Sequence, residues 1–187
     1  MWLDEDGWID QPWVHRIPCS NHDPRPLGTQ IDSLVIHCIS LPERVHDFEP
    51  VKALFLNQLD CTAHPEYAAL EGLHVSSHFV IDRQGGVYQF VSCDRRAWHA
   101  GVSGAMDRQN FNHFSLGIEL LGDVYCPFEQ AQYDSLYKLI AELRDRYPLK
   151  YAFAHSEIAP TRKTDPGPFF DWKRIRKSYT YDLLPKA

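Results

Sequence analysis

The sequence predicts an α+β protein close to the α/β class: a single domain with a central mixed β-sheet flanked by helices. Three observations carry that reading. Apolar runs of strand length recur at 33–39, 77–82, 87–91, 114–121 and 151–155. Two of them are joined by Arg83-Gln84-Gly85-Gly86, a hairpin signal, so an antiparallel pair belongs to the sheet. One long segment, 129–147, repeats at helical spacing, and strands interleaved with a helix make the remaining sheet mixed.

Residues 1–30 show no clear period and are rich in proline and polar residues. Trp2, Trp8 and Trp13 need cover, so this stretch is expected to be an ordered arm wrapped on the domain. The β-branched run 33–39 reads as a buried strand and 40–48 as a loop. Residues 50–58 read as a short helix, with Pro50 tolerated in its first turn. Residues 97–104 read as a loop, and 114–121 as an apolar strand that carries Glu119. In the helix 129–147, positions 133, 136, 137, 140 and 143 share one face, and Pro148 ends it. A last strand is expected at 151–155 and a terminal helix at 171–178. No repeat, low-complexity segment or interdomain linker is present, so residues 1–187 are taken as one domain.

The composition bounds the function. The 187 residues suit one core of ordinary size, with 44% apolar and 24% charged residues. A net charge of −6 disfavours a general nucleic-acid binder, because no basic surplus exists to displace counterions. Arg162, Lys163, Lys173, Arg174, Arg176 and Lys177 leave room for a local basic groove, as does the pair Arg95-Arg96. The five cysteines are odd in number and widely spaced, with no C-x-x-C, which argues against a disulfide framework or an all-cysteine zinc site. The acidic N-terminus lacks the pattern of a signal peptide, and no run has the roughly 20 apolar residues of a membrane span. The expectation is a soluble, cytoplasmic protein with no nucleic-acid or membrane partner.

A histidine and an aspartate near the C-terminus, His155 and Asp165, look like two ligands facing one centre, with Lys163 beside them. His37 ends the apolar run Leu34-Val35-Ile36. Taken alone, His37 reads as a core histidine and Asp165 as a turn residue before Pro166-Gly167. Together they match a catalytic zinc, for which two neutral imidazoles and a carboxylate leave the fourth position open. Glu119, amid apolar residues, is either turned to solvent by strand alternation or buried with a raised pKa, as a proton shuttle requires. Lys163 is either a solvated loop lysine or a cation for an oxyanion. The loop Arg96-Ala97-Trp98-His99-Ala100-Gly101 suits a groove for a sugar or peptide, and Trp98 is equally well placed for the core. His64, His74, His78 and His113 show no partner pattern and are taken as structural or exposed.

These runs, with Val75-Ser76-Ser77-His78-Phe79, Phe114-Ser115-Leu116-Gly117-Ile118-Glu119-Leu120 and Ile158-Ala159-Pro160-Thr161-Arg162-Lys163-Thr164-Asp165-Pro166-Gly167-Pro168, resemble the zinc-dependent N-acetylmuramoyl-L-alanine amidases (amidase type 2), relatives of the peptidoglycan-recognition proteins. Within that family the chain is most similar to the cytoplasmic type that acts on 1,6-anhydro-N-acetylmuramoyl peptides. The likeness covers nearly the whole chain. It implies one zinc per chain on His37, His155 and Asp165, with Glu119 and Lys163 catalytic. The implied substrate is a muropeptide, cut between the lactyl group and L-alanine in cell-wall recycling, which would also limit β-lactamase induction. Alternatives are a muropeptide-binding module of the same fold and a general cell-wall amidase. The chain departs from the pattern at Cys38, where asparagine is usual. Around Arg108 and Asn112, residues expected to hold substrate, it lacks a second arginine and a cysteine of the nearer relatives.

Overall fold

The most apolar strand runs occupy the middle of the sheet, as burial on both faces demands. The computed structural model describes residues 6–177 and 180–184; Trp2 and the end of the expected terminal helix, Ser178, lie outside the described residues. In chain order the strands are β1 (Val14–Arg16), β2 (His22–Pro24), β3 (Ser33–Ile39), β4 (Phe79–Ile81), β5 (Val87–Gln89), β6 (Arg95–Ala97), β7 (Gly104–Ala105), β8 (Arg108–Gln109), β9 (Ser115–Leu121) and β10 (Tyr151–Ala154). The helices are α1 (Phe48–Phe55), α2 (Gln130–Arg146) and α3 (His155–Ile158), with 3-10 turns at Pro65–Leu70, Phe111–His113 and Trp172–Arg174.

A six-stranded sheet runs in the order β1-β5-β4-β9-β3-β10. Strands β4 and β5 form the expected antiparallel hairpin. Strand β3 lies parallel to both β9 and β10, so the sheet is mixed, as the sequence predicts. At the hairpin, Gly85 has φ +85, and a Cβ there would come within 2.7 Å of the Ala131 carbonyl oxygen on α2. The turn therefore needs glycine both for its backbone and for helix contact.

Alternation along β3 and β9 sorts the side chains onto two faces. Leu34, Ile36, Leu116, Ile118 and Leu120 pack with Leu136, Leu139 and Leu143 of α2. Val35 joins Phe111, Phe153 and Ile158 on the opposite face. His37 and Glu119 fall on Val35's side, away from α2.

Helix α1 starts two residues before the expected 50–58, because the Asp47 side chain caps it by accepting from Glu49 N at 3.1 Å. It ends earlier too, at Phe55. In α2 the buried stripe contains Leu139 in place of Tyr137, which points outward. The expected helix at 171–178 is only the turn Trp172–Arg174. The chain is drawn out of it because Arg176 pairs with Glu157, stacks over Trp172 and bridges Leu183. The stretch expected as a loop, 97–104, is bounded by strand residues at both ends, Ala97 closing β6 and Gly104 opening β7.

The N-terminal arm contributes two strands that local sequence did not predict. Strand β1 adds parallel to β5, and β2 pairs antiparallel with β6. The arm is pinned by Ile9 N, which donates to Gln89 Oε1 at 2.9 Å. Trp8 and Trp13 are half-buried, their rings covered by Arg16 and Lys138 at 4.0 and 4.2 Å.

Candidate metal centre and active site

Three parallel neighbours, β10, β3 and β9, build the site. His37 lies inside β3, two residues before its end. His155 is not the last residue of β10, as expected, but the first of α3, immediately beyond that strand. Asp165 arrives from the loop after α3, held by Ser156 N donating to its carbonyl at 3.0 Å.

The three side chains converge on one point. His37 Nδ1 is 2.9 Å from His155 Nδ1, and Asp165 Oδ2 is 3.1 Å from His155 Nδ1 and 3.3 Å from His37 Nδ1. Bonds of about 2.0–2.1 Å in a tetrahedral zinc site separate its ligand atoms by about 3.3 Å. The triangle's sides of 2.9, 3.1 and 3.3 Å are close to that size, and the donor set of two imidazoles and a carboxylate is able to hold a metal ion. Burial, then His155 beside it, pushes the His37 imidazole down to about 4, so it is neutral and has a lone pair to give. Burial alone would raise the Asp165 carboxyl, but hydrogen bonds from His155 and His37 outweigh it and hold the group well below the carboxylate range.

The far nitrogens of both histidines are also engaged. His155 Nε2 is 3.3 Å from the Ala100 carbonyl oxygen. His37 Nε2 is 3.0 Å from His99 Nδ1. If His37 offers Nδ1 to a metal, Nε2 carries the proton and donates to His99. His99 then donates from Nε2 to Ser115 Oγ at 3.3 Å, and Ser115 donates to the Phe111 carbonyl at 2.6 Å. Such partners fix the tautomer and orientation of a ligating imidazole. Space for the His99 ring exists only because residue 117 is glycine: a Cβ there would lie 2.5 Å from His99 Cγ.

Glu119 is buried, not turned to solvent. Its Oε1 is 4.0 Å from His37 Nδ1, and Oε2 has no hydrogen-bond partner among the described residues. Burial, with Asp165 nearby, raises its carboxyl well above the usual range, while Lys163 pulls the other way. Lys163 is half-buried and lines, with Asp165 and Cys38, a cleft of about 360 Å³. A larger cavity of about 690 Å³ lies near Glu157, Trp172 and Arg176 and contains none of these residues, so its size says nothing about the chemistry.

Several residues expected to bind a ligand have partners within the protein. Ala97 is fully buried in the core, so its side chain reaches no ligand. Arg96 is paired through two hydrogen bonds with Asp23 across β2 and β6. Arg108 is bidentate with Asp32 at 3.1 Å for both bonds and lies over the Phe114 ring at 3.6 Å. Asn112 Oδ1 accepts from His99 N and Ala100 N at 3.2 and 2.8 Å, shaping the loop that supports both histidines. His99 is engaged with His37 through its Nδ1. Trp98 is half-buried, with its backbone N–H bonded to Ser76 Oγ at 3.0 Å.

The basic residues divide between two cavities: Lys173, Arg176 and Lys177 line the larger one, and Arg162 and Lys163 the smaller cleft. Arg162 donates to the Ala100 and Val102 carbonyls, Arg174 pairs with Asp171, and Arg176 with Glu157. Among the other histidines, His78 is deeply buried and its Nδ1 accepts from Gly117 N at 3.0 Å. His64 caps the Pro65–Leu70 turn, and His74 bonds Asn57 near the surface. No helix among the described residues is long and apolar enough to cross a membrane.

Comparison with known proteins adds relatives to this geometry. Over 182 residues the chain is 43% identical to the 1,6-anhydro-N-acetylmuramyl-L-alanine amidase AmpD of Citrobacter freundii, covering 96% of each. It superposes on a crystal structure of a selenomethionine AmpD derivative with a TM-score of 0.86 at 42% identity, covering 93% of this chain and 97% of the other. A more distant structure is the Escherichia coli amidase AmiD with its substrate anhydro-N-acetylmuramic acid-L-Ala-D-γ-Glu-L-Lys. It has a TM-score of 0.58 at 29% identity, covering 92% of this chain and 63% of the other. Because the model of the N-acetylmuramoyl-L-alanine amidase family matches residues 27–168, most of the sheet and all three converging ligands, the chain belongs to that family.

Proposed function

We propose that the chain is a zinc amidase that hydrolyses the bond between the lactyl group of 1,6-anhydro-N-acetylmuramic acid and L-alanine. The carrying observation is the triangle of His37, His155 and Asp165 beside a buried Glu119 carboxylate whose Oε2 has no partner among the described residues. The relatives named for this activity, at 43% identity across nearly the full length, support the substrate class.

His37, His155 and Asp165 would hold the zinc. When bound, it supplies Lewis acidity to the attacking water and to the scissile carbonyl. Glu119 takes the proton from that water at its free oxygen. The same proton then goes to the alanine nitrogen as the C–N bond breaks, so the lactyl carbon gains the oxygen and the peptide leaves as an amine. A carboxyl raised by burial suits both transfers, since it binds a proton more readily than an ordinary carboxylate. Lys163 places an ammonium beside the negative charge that develops on the carbonyl oxygen. A binding module needs neither group, and burying Glu119 for no chemistry would cost stability. We place the reaction in the cytoplasm, on wall fragments carried inward for reuse; fractionation that finds the protein only outside the inner membrane would refute that role.

The test is metal content together with cleavage of anhydro-N-acetylmuramoyl-tripeptide and of the same peptide on ordinary N-acetylmuramic acid. Bound zinc with cleavage confined to the anhydro form is expected. Equal cleavage of both would make it a general wall amidase, and zinc without cleavage a binding module.

A further inference from the structure

A second group of metal-type donors borders the same cleft. His46 comes from the loop before α1, and Asp123 and Cys126 from the loop after β9; one donor atom from each lies within 4.8 Å of the others. His46 Nε2 is 2.8 Å from Asp123 Oδ2 and 4.0 Å from Cys126 Sγ.

That shared nitrogen decides between two chemistries. In a cysteine–histidine–aspartate relay, the thiol and the carboxylate contact opposite nitrogens of the ring. Here both face Nε2, so the three donors converge on a point. The Asp123 carboxylate is held in place: Oδ1 accepts from Tyr125 N at 2.7 Å, which leaves Oδ2 toward His46. A tetrahedral zinc would set nitrogen and sulfur about 3.5 Å apart. Metal uptake requires the half-buried Cys126 side chain to bring its sulfur closer to His46. Imidazole, carboxylate and thiolate together neutralise a divalent ion and favour zinc over the hard cations magnesium and calcium.

We propose that His46, Asp123 and Cys126 form a second transition-metal site of the zinc class. Three protein ligands leave a fourth position open, and one of them, Asp123, lines the cleft together with Lys163 and Asp165. The open position takes water or a carboxylate of a bound ligand. Uptake forms a sulfur–metal bond and releases the Cys126 proton to solvent, with no redox change. The site stands whether or not the chain is an amidase.

Cobalt(II) titration of the full chain tests it, because thiolate-to-cobalt charge transfer in the near ultraviolet requires a sulfur ligand. The centre at His37, His155 and Asp165 has none, but Cys38 adjoins it and must be separated from Cys126. A charge-transfer band is expected to grow with a second equivalent of metal, vanish in Cys126→Ala and persist in Cys38→Ala. His46→Ala removes a proposed ligand and is expected to weaken the second equivalent by more than the ~10-fold that loss of a ligand's supporting partner costs. A band lost in Cys38→Ala and kept in Cys126→Ala would overturn the site, as would uptake that stops after the first equivalent with no band.

Discussion

His37 and Glu119 are register partners across the parallel strands β3 and β9, and their side chains meet with Nδ1 4.0 Å from Oε1. On the other side of β3, Ala154 of β10 is paired with Ile36, so His155 emerges beside His37. Strand spacing of about 4.8 Å thus sets ligand, ligand and carboxylate in one row on a rigid frame. Asp165 closes the set from a loop whose backbone is bonded to α3.

Removing a ligand should remove the metal. His155→Ala and Asp165→Ala are expected to purify folded but without stoichiometric zinc, and to be inactive. Chelation should abolish wild-type activity, and added zinc should restore it. Elemental analysis beside the cleavage assay checks this; full activity in either variant would exclude the centre.

His99 is hydrogen-bonded to His37, and on the proposed reading it supports that ligand. His99→Ala should lower metal affinity ~10–100-fold, the usual effect of losing such a partner. Gly117→Ala should do the same by displacing the ring, since its Cβ would sit 2.5 Å from His99 Cγ. Competition against a chromogenic chelator reads both. An unchanged affinity in His99→Ala, with a raised KM instead, would return His99 to substrate binding.

In the proposed mechanism Glu119 and Lys163 act on the reaction, not on the metal. Glu119→Gln should reduce kcat ~10²–10⁴-fold, the range for general acid–base groups. Lys163→Ala should reduce it ~10²–10³-fold, as for a lost oxyanion partner. Zinc content should be normal in both, and loss of zinc would reassign the residue.

The buried Glu119 carboxyl also sets a pH dependence in metal-free protein. Its folded pKa is raised, chiefly by burial. The unfolded chain ionises near the ordinary value of about 4.3, while the folded chain resists, so stability falls as pH rises from there toward the folded pKa. Glu119→Gln should therefore melt higher than wild type at pH 7. The advantage should shrink as pH falls and disappear below about pH 4. A difference in melting temperature that does not vary with pH would contradict this account.

Arg96 is committed to Asp23, and the pair is partly exposed. Arg96→Ala should cost under about 1 kcal/mol of stability, as such pairs do. KM for the muropeptide should stay unchanged. A several-fold rise in KM without loss of stability would show that Arg96 contacts substrate after all.

The expected elements that held, β3, β9, α2 and the β4–β5 hairpin, are those whose signal is local. A run of apolar residues, a helical repeat or a glycine turn reports burial and backbone preference within a few neighbours. The types of residue at the centre were legible for the same reason: His37 and His155 adjoin strand runs, and Lys163 and Asp165 share one short segment. The three-residue strands β1 and β2 carry no period, because their partners, not their own sequence, make them strands.

Only the tertiary structure decided which polar groups work together. Strand alternation alone left Glu119 facing either solvent or core; the packing of Ile118 and Leu120 against α2 turned it inward beside His37. His99, Arg96 and Arg108 look equally suited to a ligand in sequence. Asp23, Asp32 and the space above Gly117 give them partners within the fold, across separations of 73, 76 and more than a dozen residues. His46, Asp123 and Cys126 form a cluster only because β3 and β9 pair in register and end together. Periodicity and turn chemistry act through adjacent residues and are written in the chain; the direction of a side chain's nitrogen or carboxylate depends on partners that folding brings from far away.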